Sequence, residues 1–425
     1  MPAPLLFQLL SQLSTELPFG WEWLPQTSYL VGGAVRDRLL GRNSEYLDLD
    51  FVLPEKAVET ARAIAKHYKA GFVLLDAQRQ IARVVFKNII ENATVDFALQ
   101  EGATLETDLR RRDFTINAIA YNPHTQALID PLHGYADLQQ RVLRMVSPAN
   151  LQDDPLRLLR AYRQAAQLGF EIEPNTQATI RQLAPLIGQV AAERVRVELG
   201  YLLNSGLGTS WLQAAWADGL LAPWFPSVTR SHLTQLLKVD SAVTTISSIF
   251  PQLVEELSQP VRDTLKTSWL GIAKLSCLVL PNPATAEIEL DKLTYSRAEI
   301  KGVTTALQLL PQLQAKSPVN MSLADQYFFF RTAGVVFPVI VVLAVVQGMN
   351  VHTLSPLIHR YLDPQDPVAH PTPILTGNDL MKALKLSPSP LIGELLLQIQ
   401  LAQIEGKIST PEDAIAFASK RLDNP

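Results

Sequence analysis

Two hydrophobic patterns divide this chain of 425 residues. From Ser28 to Tyr121, apolar residues form short runs, which predict strands at 29–31, 49–53, 72–75, 81–86, 94–99 and 118–121. Apolar residues recur at helical spacing at 55–68, and again through most of the chain after Pro148. The patterns predict an α+β protein, in which a small mixed sheet packed with helices is followed by an elongated all-α region.

Two apolar segments stand apart from these patterns. Residues 1 to about 26 are predicted to form an apolar helix and a lead-in that contains Trp21 and Trp23. The most apolar stretch, 332–346, is shorter than a membrane-spanning helix needs and contains Pro338. We predict a buried helix pair or a core strand there, and no membrane partner.

Composition narrows the class of protein. Hydrophobic residues make up 47% and charged residues 18%, which is typical of globular chains with several domains. The net charge of −4 argues against a protein that coats nucleic acid over its whole surface, although it allows a local basic track. The single Cys277 cannot form an intrachain disulfide, and no signal-peptide pattern is present at the N-terminus. We therefore expect a cytoplasmic protein.

The first chemical motif is VGGAVRD at 31–37, directly after a predicted strand. Without side chains, Gly32 and Gly33 let the backbone approach a triphosphate closely, and Arg36 offers two parallel donors to phosphate oxygens. A tight turn that caps a helix uses the same residues. The motif alone therefore leaves both interpretations open.

An acidic pair, Asp48 and Asp50, opens the second predicted strand. Alternate residues on a strand point to the same face, so both carboxylates can face one cluster of hard cations. Two divalent ions held there could activate an attacking hydroxyl and neutralise a triphosphate. An isolated pair of this kind is also common at a polar strand edge.

The glycine turn and the acidic strand together resemble the nucleotidyltransferases of the DNA polymerase beta type. Over 28–200 the chain is similar to the bacterial tRNA nucleotidyltransferase and poly(A) polymerase family, the class II CCA-adding enzymes. The resemblance implies two Mg²⁺ ions held by Asp48 and Asp50, which are then the catalytic residues. It also implies that Gly32, Gly33 and Arg36 bind the nucleotide.

Two further motifs carry the resemblance. RRDFTINAIA at 111–120 resembles the second motif of the family, and its Arg112 would contact the nucleotide. DDPLRLLRAYR at 153–163 resembles the motif that reads the base through hydrogen bonds. The side chains implied in base or nucleotide binding there are Asp154, Arg157, Arg160 and Arg163. Asp153 replaces the usual Glu, and Gln164 replaces a common aromatic residue.

The resemblance continues with ERVRVEL at 193–199, which matches the fifth motif, and returns over 370–420. It divides the chain into an N-terminal extension (1–27), a catalytic nucleotidyltransferase head (28–150), a neck that recognises the base (151–215), a helical body (216–369) and a tRNA-binding tail (370–425). The region 201–369 has helical character without a motif of its own. The implied partners are nucleoside triphosphates and the acceptor and TΨC arms of tRNA, and not DNA.

The segment after the 94–99 strand bears on the product. Only seven residues separate Gln100 from Asp108, where the family usually has Arg and a long flexible loop. In the family this loop is implied in switching from CTP to ATP, and its loss is typical of enzymes that add only two cytidines. Asp96 on the strand is either a third carboxylate near the metals or a plain strand acid.

We therefore predict transfer of cytidines from CTP to the 3′ end of tRNA, with CC as the favoured product and full CCA addition, which also uses ATP, as an alternative. The attacking 3′-hydroxyl would displace pyrophosphate. A poly(A) polymerase of the same family would share these motifs. From other classes, a catalytically silent RNA-binding protein and a small-molecule nucleotidyltransferase are the alternatives.

Overall fold

The computed structural model describes residues 17–42, 47–87, 93–262 and 267–423, so most of the predicted N-terminal helix lies outside the described residues. Seven strands form one sheet in the order β3-β4-β5-β2-β1-β6-β7. They are β1 Tyr29–Val31, β2 Asp48–Leu53, β3 Gly71–Asp76, β4 Ile81–Phe86, β5 Ala93–Leu99, β6 Ala120–Tyr121 and β7 Leu128–Ile129. Two more strands, β8 Val142–Leu143 and β9 Glu171–Ile172, pair in parallel.

The sheet is mixed because β2 and β5 pair in parallel while its other neighbouring strands are antiparallel. A parallel pair needs a crossover connection, and the chain between these strands contains the helix Ala57–His67 and the hairpin of β3 and β4. All six predicted strands are present. The predicted α+β class is confirmed.

Alternation along β2 separates the core from the surface. Leu49 and Phe51 are 1% and 0% exposed, and the Phe51 ring lies 5.7 Å from that of Phe97 on β5. Asp48 and Asp50, at the intervening positions, are exposed on the opposite face. The same apolar packing that fixes the register of β2 therefore also orients its two carboxylates.

Helices make up most of the remaining chain. The α-helices are Gly33–Leu39, Ala57–His67, Leu105–Leu109, Gly134–Gln140, Pro148–Asp153, Leu156–Leu168, Pro174–Leu183, Ala192–Asn204, Gly208–Ala217, Arg230–Ser247, Pro251–Ser258, Trp269–Ser276, Pro283–Lys292, Arg297–Ala315, Leu323–Ala333, Phe337–Val346, Val351–Leu362, Gly377–Leu384, Pro390–Ile404 and Pro411–Asp423. A 3₁₀ turn at Thr115–Asn117 precedes β6.

The chain forms two compact units. One contains residues 1–198 and 214–223, and the other contains 199–213 and 224–425. The sheet and the helix Leu156–Leu168 belong to the first unit. The boundaries of head, neck, body and tail stay predictions.

The apolar stretch at 332–346 is a helix pair. The helices Leu323–Ala333 and Phe337–Val346 are joined at Gly334, and nearly every side chain of the second is buried. Within the described part of the chain, this run is the one helical stretch that is long and apolar enough to cross a membrane, and 72% of its most apolar window is buried in the protein. The predicted buried helix pair is confirmed, and the alternative of a core strand is wrong.

A close contact at Gly134 gives the first prediction. A Cβ there would overlap the backbone carbonyl of Thr115, at the start of the 3₁₀ turn Thr115–Asn117. We expect Gly134→Ala to destabilise the first unit by about 2–3 kcal/mol, because backbone cannot yield as a flexible side chain can. The measurement is the thermal unfolding temperature.

The matched control is Gly200→Ala, because a Cβ at this helical position meets nothing within 4 Å. It should leave stability unchanged or raise it by about 0.5–1 kcal/mol through helix propensity. Equal unfolding temperatures for the two variants would contradict the assigned contact.

Candidate active site

Neighbouring strands bring three carboxylates to one region of the sheet. Asp50 lies opposite Val31 of β1 and beside Asp96 of β5, and Asp48 lies beside Thr94. The Thr94 hydroxyl donates a 2.6 Å hydrogen bond to Asp48 Oδ1. The parallel register of β2 and β5 therefore explains why residues far apart in sequence meet here.

Asp96 is already paired. Arg83, its cross-strand neighbour on β4, donates from Nε to Oδ1 at 2.6 Å and from Nη2 to Oδ2 at 2.7 Å. Both oxygens of Asp96 thus accept from one guanidinium. A role for Asp96 as a third metal carboxylate stays a prediction, and its bidentate contact with Arg83 also fits a plain strand acid.

The pKa of Asp50 is raised by its surroundings. Its side chain is open to solvent, yet the surrounding protein desolvates it, and this desolvation raises its pKa from 3.8 to about 6. The Arg112 guanidinium opposes the increase in pKa, while the Asp96 and Asp48 carboxylates add to it. Desolvation and the neighbouring carboxylates therefore outweigh the stabilising charge of Arg112 at Asp50.

These carboxylates fit a hard divalent cation whose coordination shell would be completed by substrate oxygens. In the described residues, no group of three or more His, Cys, Asp or Glu side chains is arranged to enclose a metal. Mg²⁺ commonly binds through one or two carboxylates, with substrate phosphates and water supplying other oxygens. Asp48 and Asp50 on one strand face match that donor set.

The glycine turn packs directly against this acidic face. Gly32 has φ +77°, and a Cβ there would lie 3.3 Å from Asp50 Oδ2 and 3.4 Å from Arg112 Nη1. Both the left-handed backbone and this close approach favour glycine. The turn therefore lets the backbone lie beside the acidic residue and the arginine at once.

Arg36 lies in the helix Gly33–Leu39 that follows the glycine turn, and two residues bind its guanidinium. Its Nε and Nη2 donate to the two oxygens of Asp37, each at 2.9 Å, and its Nη1 donates to Asn117 Oδ1 at 2.8 Å. A Cβ on Gly33 would lie 3.5 Å from Arg36 Nη2. The predicted phosphate-binding arginine is thus fixed beside the turn.

Arg112 reaches the site from the second motif. Its Nη2 contacts Asp108 Oδ2 at 3.4 Å, and its carbonyl accepts a 2.7 Å hydrogen bond from Asn150. Burial is the main cause that raises the pKa of Asp108, and the charge of Arg112 opposes it. Asn150 also donates to the carbonyl of Arg110, so one amide fixes the backbone of this arginine segment.

The residues predicted to read the base all form hydrogen bonds or ion pairs within the protein. Asp154 accepts from Arg194 Nη1 and Nη2 at 3.2 and 3.0 Å. Arg157 Nη1 donates to the carbonyls of Arg111 and Asn150 at 2.9 and 3.0 Å. Asp154 and Arg194 line a cavity of about 380 Å³, within the usual size range of ligand pockets.

Arg160 and Arg163 lie further along the same helix, Leu156–Leu168. Arg160 Nη2 lies 3.3 Å from Asp113 Oδ2, and Arg163 Nε lies 2.5 Å from Glu198 Oε2. The pKa of Asp113 is lowered, because the Arg160 charge and hydrogen bonds outweigh the opposing desolvation. These pairs connect the helix to the second and fifth motifs.

Three buried polar atoms at this junction form no hydrogen bond with the described residues. They are Arg112 Nε, Asp113 Oδ2 and Arg160 Nε. Asp113 Oδ2 is compensated in part by the Arg160 charge, since Arg160 Nη2 lies 3.3 Å from it. The second motif and the helix Leu156–Leu168 meet at this place.

The predicted site residues therefore fall into two neighbouring groups within the first unit. Gly32 and Arg112 lie against Asp50, with Gly33 and Arg36 next to them in the chain, while Asp154 precedes the helix Leu156–Leu168, which carries Arg157, Arg160 and Arg163. Sequence reasoning did not identify Arg83, Thr94 or Arg194 as site residues. Arg83 could have been found, because it alternates with apolar residues on a predicted strand, but its partner depends on strand order.

Comparison with known proteins identifies the family of this chain. Three family models match: "Poly A polymerase head domain" over 28–144, "Probable RNA and SrmB- binding site of polymerase A" over 169–231, and tRNA nucleotidyltransferase domain 2 over 263–418. A CC-adding tRNA nucleotidyltransferase from Synechocystis sp. is 49% identical, over 97% of this chain and 97% of that protein.

More distant relatives share the fold with different products. An A-adding tRNA nucleotidyltransferase from Deinococcus radiodurans is 31% identical over 93% of this chain and 96% of that protein. The structure of the Bacillus stearothermophilus CCA-adding enzyme in complex with CTP matches with a TM-score of 0.69 and 23% identity, covering 100% of this chain and 98% of that one. At this identity the structural likeness concerns the fold alone.

The raised pKa of Asp50 predicts a pH-dependent gain in stability for Asp50→Asn in a chelating buffer. Because the folded state binds the proton more tightly than the unfolded chain, wild-type stability is lost as pH rises from 3.8 through about 6. The variant should unfold at nearly the wild-type temperature at pH 4 and at a higher temperature at pH 8. A difference that does not change with pH would contradict the assigned pKa.

Proposed function

Because the chain belongs to the bacterial tRNA nucleotidyltransferase and poly(A) polymerase family, and is therefore a nucleotidyltransferase, we propose that it adds two cytidines from CTP to the 3′ end of tRNA in the cytoplasm. The observation that carries the catalytic part is the contact geometry at Gly32. A Cβ added to Gly32 would lie 3.3 Å from Asp50 Oδ2 and 3.4 Å from Arg112 Nη1, so the backbone of the turn runs close to both side chains. A triphosphate seated on this turn would meet acidic metal ligands and a cation together.

The proposed catalytic residues are Asp48 and Asp50, which would hold two Mg²⁺ ions. These ions would lower the pKa of the attacking 3′-hydroxyl and neutralise charge on the triphosphate as pyrophosphate leaves. The protein contributes positioning, because strand alternation fixes both carboxylates and Thr94 fixes one oxygen of Asp48. Asp96 is proposed to act with Arg83 at the border of this site.

The nucleotide would lie between the glycine turn and the helix Leu156–Leu168. Gly32 and Gly33 permit backbone approach to the phosphates, and Arg36, Arg112, Arg160 and Arg163 supply positive charge. Cytosine presents an amino donor next to acceptors, so Asp154 can accept from it while Arg157 donates to it. The two hydrogen bonds of Arg157 use Nη1 alone, which leaves other donors of its guanidinium for the base.

A preference for CC as the product is supported by the compact segment after β5. Glu101 donates its backbone N–H to Asp108 Oδ1 at 3.0 Å and forms an ion pair with Arg111. Thr104 caps the helix Leu105–Leu109 that follows at once. The segment therefore closes on itself, and the 49% identical relative is itself a CC-adding enzyme.

For the tRNA, we propose that the helical neck (151–215), body (216–369) and tail (370–425) bind the acceptor and TΨC arms, while the head (28–150) carries the catalytic residues. The tail has a core of its own, formed by residues of its three helices, which include Leu380, Ile399 and Ala414. An independent core suits a module that contacts the substrate at a distance from the reacting end.

The test incubates purified protein and Mg²⁺ with tRNA transcripts that end at the discriminator base, at CC or at CCA, together with each labelled nucleotide and with CTP plus ATP. We expect two cytidines on the first transcript and then arrest. Asp48→Ala should lower incorporation by at least about 10³-fold, because the metal-bound charge stabilisation is lost. Gel resolution of single additions is the measurement.

Other products would change the assignment in defined ways. Complete CCA would show that the compact segment does not restrict the product, and a single A added only to the CC transcript would indicate A addition. Runs of A would identify a poly(A) polymerase. No incorporation by wild-type protein, equal to that of Asp48→Ala, would favour an RNA-binding protein without catalysis.

A further inference from the structure

One buried amide, that of Asn117, joins the two groups of site residues. Its Oδ1 accepts from Arg36 Nη1 at 2.8 Å, and its Nδ2 donates to Asp113 Oδ1 at 2.9 Å and to Gln164 Oε1 at 3.0 Å. Asn117 is 6% exposed and Gln164 is 2% exposed. The arginine beside the glycine turn and the base-reading helix are therefore two hydrogen bonds apart.

Gln164 lies on the face of the helix Leu156–Leu168 that carries the base-reading arginines. It follows Arg160 by four residues and Arg157 by seven, so the three side chains share one stripe. Arg160 contacts Asp113, the other acceptor of the Asn117 amide. A shift of this stripe would therefore change both hydrogen bonds that Asn117 donates, to Asp113 and to Gln164.

The geometry leaves Asn117 little freedom. Both of its N–H donors and its carbonyl oxygen are used, and only one orientation of the amide places the oxygen towards the arginine and the nitrogen towards the two acceptors. Burial makes loss of any one partner costly, since the group left behind cannot turn to water. An acceptor at position 164 thus holds the Asn117 amide in the orientation that accepts from Arg36 Nη1, which Asp37 anchors through Nε and Nη2.

We propose that Gln164 is a positioning residue that couples recognition of the base to binding of the triphosphate, through Asn117 and Arg36. The proposal rests on the function proposed above. Gln164 does not touch the nucleotide. It fixes the position of the base-reading stripe relative to Arg36. A nucleotide whose base fits the stripe then has its phosphates correctly placed beside Arg36.

The test uses substitutions that break the Asn117–Gln164 hydrogen bond from either side. Gln164→Met keeps the length of the side chain without its acceptor, and Asn117→Ser shortens the side chain and so removes the amide that donates to Gln164 and Asp113 and accepts from Arg36. Gln164→Glu keeps an acceptor oxygen and should restore part of the function. Gln182→Met, an exposed position on the neighbouring helix Pro174–Leu183, is the matched control.

Two readouts report on the two ends of the coupling. One is the ratio of kcat/KM for CTP over ATP on tRNA that ends at the discriminator base. The other is inhibition by pyrophosphate, a probe that has no base. For Gln164→Met we expect the ratio to fall about 5-fold and the inhibition constant to rise about 10-fold, as for loss of a buried hydrogen bond. Asn117→Ser should shift both in the same direction.

The double variant distinguishes coupled effects of the two substitutions from independent ones. If Gln164 acts through Asn117, Gln164→Met with Asn117→Ser should be little worse than Asn117→Ser alone, whereas independent losses would multiply. Thermal unfolding of each variant identifies any that fail to fold. If one single variant does not fold, the two readouts are taken from the other single variant.

The outcomes are distinct. A changed nucleotide ratio with unchanged pyrophosphate inhibition would overturn the coupling and leave Gln164 a local support of the helix. Unchanged values in both readouts, with active wild-type protein, would overturn the proposal and leave the nucleotidyltransferase function standing. Wild-type protein without incorporation would remove both.

Discussion

The site depends on one electrostatic constraint, which is that carboxylates of like charge are held close together on neighbouring strands. Apolar packing on one face of β2 forces Asp48 and Asp50 onto the other, and parallel pairing with β5 brings Asp96 beside them. Their mutual repulsion and the desolvation of Asp50 oppose folding. The packing of Leu49, Phe51 and Phe97 has to outweigh both, so a rigid core is a requirement of the chemistry.

The surrounding cations follow from the same constraint. Arg83 pairs with both oxygens of Asp96, and Arg112 offsets part of the charge near Asp50, yet the Asp96 carboxylate still raises the pKa of Asp50. Carboxylates in this arrangement are suited to a hard divalent cation. Further along, each arginine of the base-reading helix contacts a partner before any nucleotide binds. Such pre-positioned polar groups lower the cost of reorganisation when substrate arrives.

Local pattern was enough to predict much of this structure. Short apolar runs predicted six of the seven strands of the sheet and missed β7, and the two-residue spacing of Asp48 and Asp50 correctly placed them on one face. Three features could not be predicted because they depend on which elements become neighbours. Strand order brought Arg83 to Asp96, and packing of the helix Leu156–Leu168 on the sheet unit brought Gln164 to Asn117. The pairing of Asp154 with Arg194 likewise needs two segments that are forty residues apart.

Asp48 and Asp50 are proposed to form a two-metal centre for a nucleoside triphosphate seated on the Gly32 turn. Anomalous diffraction from crystals of the protein with Mn²⁺ and a non-hydrolysable CTP analogue tests this proposal. We expect two Mn²⁺ peaks within coordination distance of Asp48 and Asp50, with the triphosphate against Gly32 and the cytosine beside Asp154 and Arg157. A nucleotide bound elsewhere, or metal peaks remote from both carboxylates, would contradict it.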